Sequence, residues 1–237
     1  MLKHLLRALH KIWHQLLPTP CLWCSLPVHR FDCQLCDVCE EALPKLPYTL
    51  CHYNLLWLPH VARGLHKPAF DTLLSVSYYK LPYQHWLQRW KFSHDLAAGD
   101  LLTQQLAALV AQYQQQGGKL PDAILYVPMH RAKQRSRGFN PAEILAQQVA
   151  KQLRLPLLTV LYRPHQQQAQ VGLSRKQRQR NLRKAFALSS QQPLPANVAL
   201  VDDVVTTGAT ANTLCQLLRR HGVKHISLWT VAVTLFD

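Results

Sequence analysis

The sequence has no long apolar run and no apolar core near its start. No stretch reaches the roughly eighteen consecutive apolar residues that a membrane-spanning helix needs, so we expect no transmembrane segment. In residues 1–20 a charged residue interrupts the leucines every few positions, whereas a secretory signal has an uninterrupted apolar core. This pattern predicts a cytoplasmic protein. The apolar fraction is nevertheless 48%, enough for a sizeable core, which argues against an intrinsically disordered chain.

Acidic residues are also scarce. The chain has 12 Asp+Glu against 27 Lys+Arg, a formal net charge of +15. Residues 131–184 hold 13 Lys/Arg and a single acid, Glu143, which is a local net charge of +12. A segment this basic usually meets an anion, and phosphates, nucleic acid and an acidic membrane face all fit.

Cysteines are concentrated early in the chain, with five of the seven in residues 21–39. In a cytoplasmic protein this density indicates metal ligands rather than disulfides. Two Cys-x2-Cys pairs, each able to present two thiolates to one tetrahedral zinc ion, are Cys21 with Cys24 and Cys36 with Cys39. Cys33 forms a further pair of this kind with Cys36, so the spacing alone leaves the choice of four ligands open.

Strand and helix patterns alternate through the rest of the chain. Strands are predicted at residues 72–79, 123–127, 157–161, 198–201 and 226–233, and helices at 95–116, 140–153 and 210–221. This order predicts an α/β fold, a parallel sheet flanked by helices. Residues 2–17 have the spacing of a basic amphipathic helix. We expect it to pack its apolar stripe on the protein or, alternatively, to lie on a membrane or a partner.

The most specific segment is Val198–Thr210, where an apolar strand leads to Asp202 and Asp203, then to a Thr/Gly loop that opens a helix. Ligands of open α/β sheets bind at the carboxyl ends of strands, and a helix N-terminus holds anions. Two carboxylates would repel a bare phosphate, but ribose 5-phosphate also offers hydroxyl donors. A simple acidic turn before a capped helix is the alternative, and the complete thirteen-residue string argues against it.

This string resembles the 5-phosphoribosyl-1-pyrophosphate (PRPP) motif of type I phosphoribosyltransferases: an apolar strand, an acid pair, two apolar residues and Thr-Thr-Gly-x-Thr. The resemblance implies that Asp202 and Asp203, the expected catalytic pair, hold the 2′- and 3′-hydroxyls of the ribose. It also implies that a loop wraps the 5-phosphate, formed by Val205, Thr206, Thr207, Gly208, Ala209 and Thr210. No Lys follows the glycine, so this is not a Walker loop.

Upstream, the predicted strand at 123–127 runs into the basic segment Met129–Asn140, which is either an anion-binding loop or simply a solvated one. Its Arg-Gly-Phe-Asn string, the Gln-Val-Gly-Leu-Ser string at 170–174 and the cysteine-rich start resemble the ComF/GntX family of bacterial amidophosphoribosyltransferase-like proteins. That family is linked to competence and DNA uptake. The resemblance runs from about residue 21 to the C-terminus.

The spacing of apolar residues gives an amphipathic N-terminal helix at 1–20, and the family resemblance implies a zinc module at 21–60 and a type I phosphoribosyltransferase-like domain at 61–237. It selects Cys21, Cys24, Cys36 and Cys39 as the ligands of a structural zinc ion, with Cys33 spare. It assigns Arg131, Arg135 and Arg137 to the pyrophosphate side, and Gln170 and Arg178 to the segment corresponding to the mobile loop of related transferases. Many members carry a second cysteine set, but here Asn54 stands where the partner of Cys51 would be.

The implied function is Mg²⁺-dependent binding of PRPP or a related sugar phosphate, in the service of DNA uptake or related nucleic-acid metabolism. The sequence indicates neither an acceptor nor a general base. A second hypothesis is a non-catalytic competence factor that binds single-stranded DNA, its phosphoribosyl site being a sensor or vestigial. In that case cations would follow the phosphate backbone, and Trp57, Trp86 and Trp90 would stack on bases. Protein partners from DNA uptake are expected under both hypotheses.

Overall fold

The computed structural model describes residues 13–14, 16–164, 185–189 and 193–235. The helix predicted at 2–17 therefore lies mostly outside the described residues, and so does the strongly basic stretch 175–184. Of the helices that are described, none combines the length and the apolar content needed to cross a membrane.

The cysteine-rich part consists of short elements. They are β1 (Thr19–Pro20), β2 (Pro27–Val28), α1 (Asp37–Glu41), a 3-10 helix (Leu55–Trp57) and α2 (Pro59–Gly64). β1 and β2 pair antiparallel. Elements this short cannot bury a core of their own. Cys21, Val28, Leu35 and Cys39 instead belong to a hydrophobic core shared with the helices of the larger part.

The larger part alternates strands and helices. Its elements are β3 (Thr72–Tyr78), α3 (Tyr83–Ser93), α4 (Leu96–Gln115), β4 (Ala123–Tyr126), α5 (Arg131–Arg137), α6 (Pro141–Leu153), β5 (Leu161–Tyr162), β6 (Ala187–Leu188), β7 (Asn197–Val205), α7 (Ala209–Arg220) and β8 (His225–Val233). Four of the strands form one parallel sheet in the order β3-β8-β7-β4. The predicted parallel α/β fold flanked by helices is therefore confirmed.

The sheet is buried on both faces. Along β7, Ala199 and Val201 lie in one core with residues of α3, α4 and α6, whereas Val198 and Leu200 lie in a second core with residues of α7. Successive side chains of a strand point to opposite faces, so one apolar strand serves both cores. Because all four strands are parallel, their carboxyl ends meet at one edge, where ligands of such sheets bind.

Two predicted strands differ from the structure. The strand predicted at 198–201 continues to Val205, because β8 keeps pairing with it as far as Val233. The strand predicted at 157–161 is not a continuous ladder. Leu157 makes a single parallel bridge with Ile124, and the chain then leaves the sheet to form the antiparallel pair β5–β6.

The outer edge of β3 is covered by two side chains. The hydroxyl of Tyr48 donates to the carbonyl of Ser75 and accepts the N–H of the same residue at 2.8 Å. Asn54 accepts the N–H of Leu73 at 3.1 Å and donates to the carbonyl of Asp71 at 3.0 Å. An open strand edge is a template for pairing with another chain, and these bonds occupy that template.

Candidate functional site

Asp202 and Asp203 lie at the carboxyl end of β7, within the strand rather than after it. Both are half-buried, and the N–H of Asp203 donates to Oδ1 of Asp202 at 2.8 Å. Burial, together with the charge of Asp203, raises the pKa of Asp202 to about 8, although Lys91 and Lys133 act in the opposite direction. A carboxyl group with a pKa so strongly perturbed, at the ligand-binding edge of a sheet, is typical of a functional site.

Asp203 has a cation of its own, which the sequence analysis missed. Lys91 of α3 places Nζ 2.8 Å from Oδ2 of Asp203. The two side chains are 16% and 15% exposed, so water screens this pair far less than a surface salt bridge. Lys91 and Asp203 are distant in sequence and no motif links them, so this pair can be recognised only in the folded structure.

The loop after the acid pair has the form of an anion cradle. Gly208 immediately precedes α7 and has φ +74°, a conformation that favours glycine. Among the described residues, the N–H groups of Thr206, Thr207 and Gly208 donate to no partner. The N–H groups of the first turn of α7 have no intrahelical acceptor either. Together they form a row of donors at the positive end of a helix dipole, which suits a phosphate.

Hydrogen bonds from the segment before β3 hold this loop from behind. The N–H of His66 donates to the carbonyl of Thr207 at 3.1 Å. Asn212 of α7 accepts the N–H of Ala69 and donates to the carbonyl of His66, both at 2.8 Å. The loop is therefore positioned by contacts distant in sequence that use its carbonyl and α7, and none of them occupies its N–H groups.

The basic segment forms a helix and not the loop that its sequence indicated. α5 begins after His130, whose Nδ1 accepts the N–H of Ala132 at 3.2 Å, and it ends at Gly138, where φ is +83°. Gly138 was the overlooked signal, because a left-handed glycine commonly ends a helix. Just after β4, the N–H of Val127 donates to the carbonyl of Val201 at 2.9 Å, so the start of this segment lies beside the end of β7.

α5 brings cations to the edge of the sheet that carries the acid pair. Arg131, Lys133 and Arg135 are exposed, and none of the three forms a salt bridge with a described residue. Arg137 is half-buried, with its guanidinium 5.3 Å from the ring centre of Phe92. The arrangement leaves three positive charges available to an anionic ligand.

The described residues of this site do not include two groups that the sequence analysis named. Gln170 and Arg178 lie outside the described residues, so their place in a covering loop stays a prediction. The aromatic part of the DNA hypothesis is wrong for two of its three residues. Trp86 and Trp90 are only 0% and 1% exposed and belong to the core, whereas Trp57 is 63% exposed. Stacking on a base requires an accessible ring face, so only Trp57 qualifies.

The four cysteines selected by the family resemblance lie together. The Sγ atoms of Cys21, Cys24, Cys36 and Cys39 are all within 4.8 Å of one another. Those of Cys24 and Cys36 are 3.6 Å apart, close to the roughly 3.8 Å expected between thiolates around a tetrahedral zinc ion. Burial alone would raise the pKa of Cys21, but backbone N–H donors from Cys24 and Cys36 lower it to about 6, whereas burial and the neighbouring thiols raise the pKa of Cys39. The donor set fits one zinc ion.

The remaining cysteines near the module lie apart from this cluster. In the described part of the chain, no other group of three or more His, Cys, Asp or Glu side chains has metal-site spacing. Cys51 is fully buried, and its carbonyl accepts the N–H of Asn54 at 2.8 Å. His60 contacts the hydroxyl of Tyr78 at 2.7 Å. Cys33 lies outside the four-cysteine group, as its spare assignment requires.

The fold and this site define a class of protein. The chain matches the model of the phosphoribosyl transferase domain over residues 96–234, a range that includes the acid pair, the loop after it and α5. It is therefore a phosphoribosyl transferase domain protein with a cysteine-rich N-terminal extension.

Comparison with curated proteins gives the family. The chain is 34% identical over 219 residues to Competence protein F of Haemophilus influenzae, covering 90% of this chain and 96% of the relative. It is 31% identical over 226 residues to DNA utilization protein YhgH of Escherichia coli, covering 92% and 98%. It is 24% identical over 211 residues to Competence protein ComFC of Streptococcus pneumoniae, covering 89% and 86%. The chain belongs to the ComF family, as its motifs predicted.

Proposed function

We propose that this protein binds PRPP, with Mg²⁺, at the carboxyl edge of its sheet. One observation carries the proposal: Asp202 and Asp203 adjoin a loop whose N–H groups have no acceptor among the described residues, and the cations of α5 lie at the same edge. PRPP needs acceptors for its two ring hydroxyls, N–H donors for its 5-phosphate and cations for its pyrophosphate. The site offers all three kinds of group.

In this proposal the parts of the site have separate tasks. The acid pair orients the ribose, the loop Val205–Thr210 holds the 5-phosphate, and Arg131, Arg135 and Arg137 attract the pyrophosphate. Mg²⁺ would neutralise part of the pyrophosphate charge. Departure of pyrophosphate from C1 leaves positive charge on the ring, so positioning and stabilisation of the leaving group would account for catalysis. Gln170 and Arg178 are proposed to contribute from the covering segment.

Isothermal titration calorimetry with PRPP tests this proposal. The wild type should bind PRPP in the presence of Mg²⁺ and more weakly in its absence. Asp202→Asn combined with Asp203→Asn should abolish binding, because the double variant loses the charge of Asp203 and replaces one carboxyl oxygen of each residue by an amide nitrogen, which cannot accept a hydrogen bond. Asp100→Asn, at an exposed position of α4, is the matched control and should bind as the wild type does. A wild type without measurable PRPP affinity would overturn the proposal.

We further propose that this activity serves DNA uptake or related nucleic-acid metabolism, because the relatives are named for competence and for DNA utilization. A second candidate function is single-stranded DNA binding. It is favoured by the three exposed cations of α5 and by the exposed ring of Trp57. The two functions are compatible, because a phosphate backbone and a pyrophosphate attract the same cations.

DNA binding is tested by its salt dependence. Affinity for a single-stranded oligonucleotide should fall with a slope of about −0.7 in log K against log salt for each neutralised phosphate. Replacing Arg175, Lys176, Arg178 and Arg180 by Ala should reduce that slope, whereas Asp100→Asn should not change it. An unchanged slope would remove this basic segment from the DNA site.

We also infer that Cys21, Cys24, Cys36 and Cys39 hold a structural zinc ion, as their spacing and geometry support. The ion would tie short segments that have little regular structure of their own. Bound zinc would supply a closed tetrahedral centre with no open position for chemistry.

A further inference from the structure

The phosphoribosyl transferase match begins at residue 96, yet one charged contact of the acid pair comes from before it. Lys91 lies in α3, with Nζ 2.8 Å from Oδ2 of Asp203 and both side chains largely buried. Among the described residues it is the only cation in a salt bridge with either member of the acid pair. Among the described residues, Lys133 of α5, which is exposed, also acts on Asp202.

The helix that carries Lys91 also contacts the pyrophosphate-side segment. The ring of Trp90 stacks on Phe139, just beyond the end of α5, at a centroid distance of 5.5 Å. Phe92 lies under the guanidinium of Arg137 at 5.3 Å. Three consecutive residues of α3 therefore touch both halves of the site. This anchoring leaves Lys91 little freedom to move away from Asp203.

The contacts of the acid pair occupy one oxygen of each carboxylate and leave the other oxygen as an acceptor. Oδ1 of Asp202 accepts the N–H of Asp203 at 2.8 Å, and Oδ2 of Asp203 is held by Lys91. Within the described residues, no partner occupies Oδ2 of Asp202 or Oδ1 of Asp203. One acceptor oxygen on each carboxylate thus remains, which matches the two hydroxyls of a ribose ring.

We propose that Lys91 is a positioning residue for the sugar: it fixes the carboxylate of Asp203 so that Oδ1 faces the 2-hydroxyl of the ribose, and it offsets the carboxylate charge that would repel a phosphorylated ligand. This inference rests on the proposed function, since it concerns the same ribose site. It adds that the site is completed by α3, a helix outside the matched domain. Lys91 acts through Asp203 and need not touch the ligand.

Two ligands separate positioning from a general loss of affinity. Ribose 5-phosphate has both ring hydroxyls, whereas 2-deoxyribose 5-phosphate lacks one and keeps the phosphate. The wild type should prefer ribose 5-phosphate by about tenfold, the difference expected for a hydrogen bond to a charged group. Lys91→Met should weaken ribose 5-phosphate binding by a similar factor and bring the preference close to one. Lys119→Met, at an exposed position before the amino end of β4, should keep the preference.

A double-variant comparison makes the test independent of folding. Lys91→Met leaves a largely buried carboxylate uncompensated, but in an Asp203→Asn background that charge is gone. There Lys91→Met should change the preference no further, because Lys91 acts through Asp203. The inference would be overturned if Lys91→Met changed the preference equally in both backgrounds, or if the Lys91→Met variant kept the wild-type preference. Neither result would contradict the proposal that the protein binds PRPP. A wild type that binds neither sugar phosphate nor PRPP would instead overturn the proposed function.

Discussion

Asp202 and Asp203 are neighbours on one strand, yet their surroundings differ. Asp203 has the ammonium of Lys91 at 2.8 Å, whereas Asp202 has no salt-bridge partner among the described residues. Burial and the charge of Asp203 raise the pKa of Asp202 to about 8. Near neutral pH the pair therefore carries less negative charge than two free carboxylates would, which favours the approach of a phosphorylated ligand.

The raised pKa of Asp202 predicts a pH-dependent stability. The folded pKa of about 8 lies above the unfolded value of roughly 3.9, so the folded chain holds more protons between these limits. The contribution of Asp202 to stability is thus fully present below about pH 4 and is lost as the pH rises through 8. Asp202→Asn does not ionise, so its stability relative to the wild type should increase steadily from acidic pH to pH 8.

Urea denaturation of the two proteins across this pH range measures the effect. Asp100→Asn, which replaces an exposed aspartate in the same way, should differ from the wild type by a constant amount. A difference between Asp202→Asn and wild type that does not vary with pH would show that Asp202 titrates normally in the folded chain.

Among the elements, those with ends set by nearby residues could be predicted closely. The helix predicted at 95–116 is observed at Leu96–Gln115, and the side chain of Asp95 accepts the N–H of Ala98 at its start. The helix predicted at 140–153 begins after Asn140, which caps it in the same way. These caps are local in sequence, so residue type and spacing were enough to find them.

Features that depend on distant partners could not be predicted. β7 extends to Val205 because Val205 pairs with Val233 of β8. The periodicity of a single segment cannot predict the register between two strands. The acid pair was recognised from its motif, but the contact of Lys91 with Asp203 depends on how α3 packs against the sheet. Gly138 differs from these cases. A glycine just after a basic helical segment is a local signal for the end of a helix, so this helix end could have been predicted.

The two ends of α7 offer a comparison between matched glycines. Gly208 before the helix and Gly222 after it both have positive φ, +74° and +92°. A Cβ on Gly208 would lie 3.3 Å from the side chain of Leu65, the residue before His66, which holds the loop Val205–Thr210, whereas a Cβ on Gly222 would meet nothing within 4 Å. Alanine at either position strains the backbone by about 1–2 kcal/mol, but only at Gly208 does it also disturb the loop.

We therefore expect Gly208→Ala to weaken ribose 5-phosphate binding by about tenfold or more, since displaced N–H donors lose charge-assisted bonds to the phosphate. Gly222→Ala should lower the free energy of unfolding by about 1–2 kcal/mol, the cost of the backbone strain, and leave the affinity for ribose 5-phosphate unchanged. Calorimetric titration and urea denaturation of both variants provide the measurements. Equal affinities for the two would show that this loop does not hold the phosphate.

At the scale of the whole molecule, the cysteine module and the sheet share one structure. Cys21 and Cys39 lie in the same hydrophobic core as Trp86 of α3, and the indole N–H of Trp86 donates to the carbonyl of Leu22 at 3.2 Å. α3 in turn carries Lys91 to the acid pair. The proposed zinc centre would therefore stabilise the packing of the helix that completes the proposed sugar site.

This coupling predicts how the protein responds to loss of a zinc ligand. Cys36→Ser should reduce the bound zinc from one ion per chain and lower the Tm of the whole cooperative transition, because the module has no separate core. Cys33→Ser is a matched control, since Cys33 is equally half-buried but lies outside the cluster, and it should keep both zinc and Tm. Zinc analysis and calorimetric melting measure the two effects. A separate low-temperature transition in Cys36→Ser, with the main transition unmoved, would show that the module unfolds independently of the sheet.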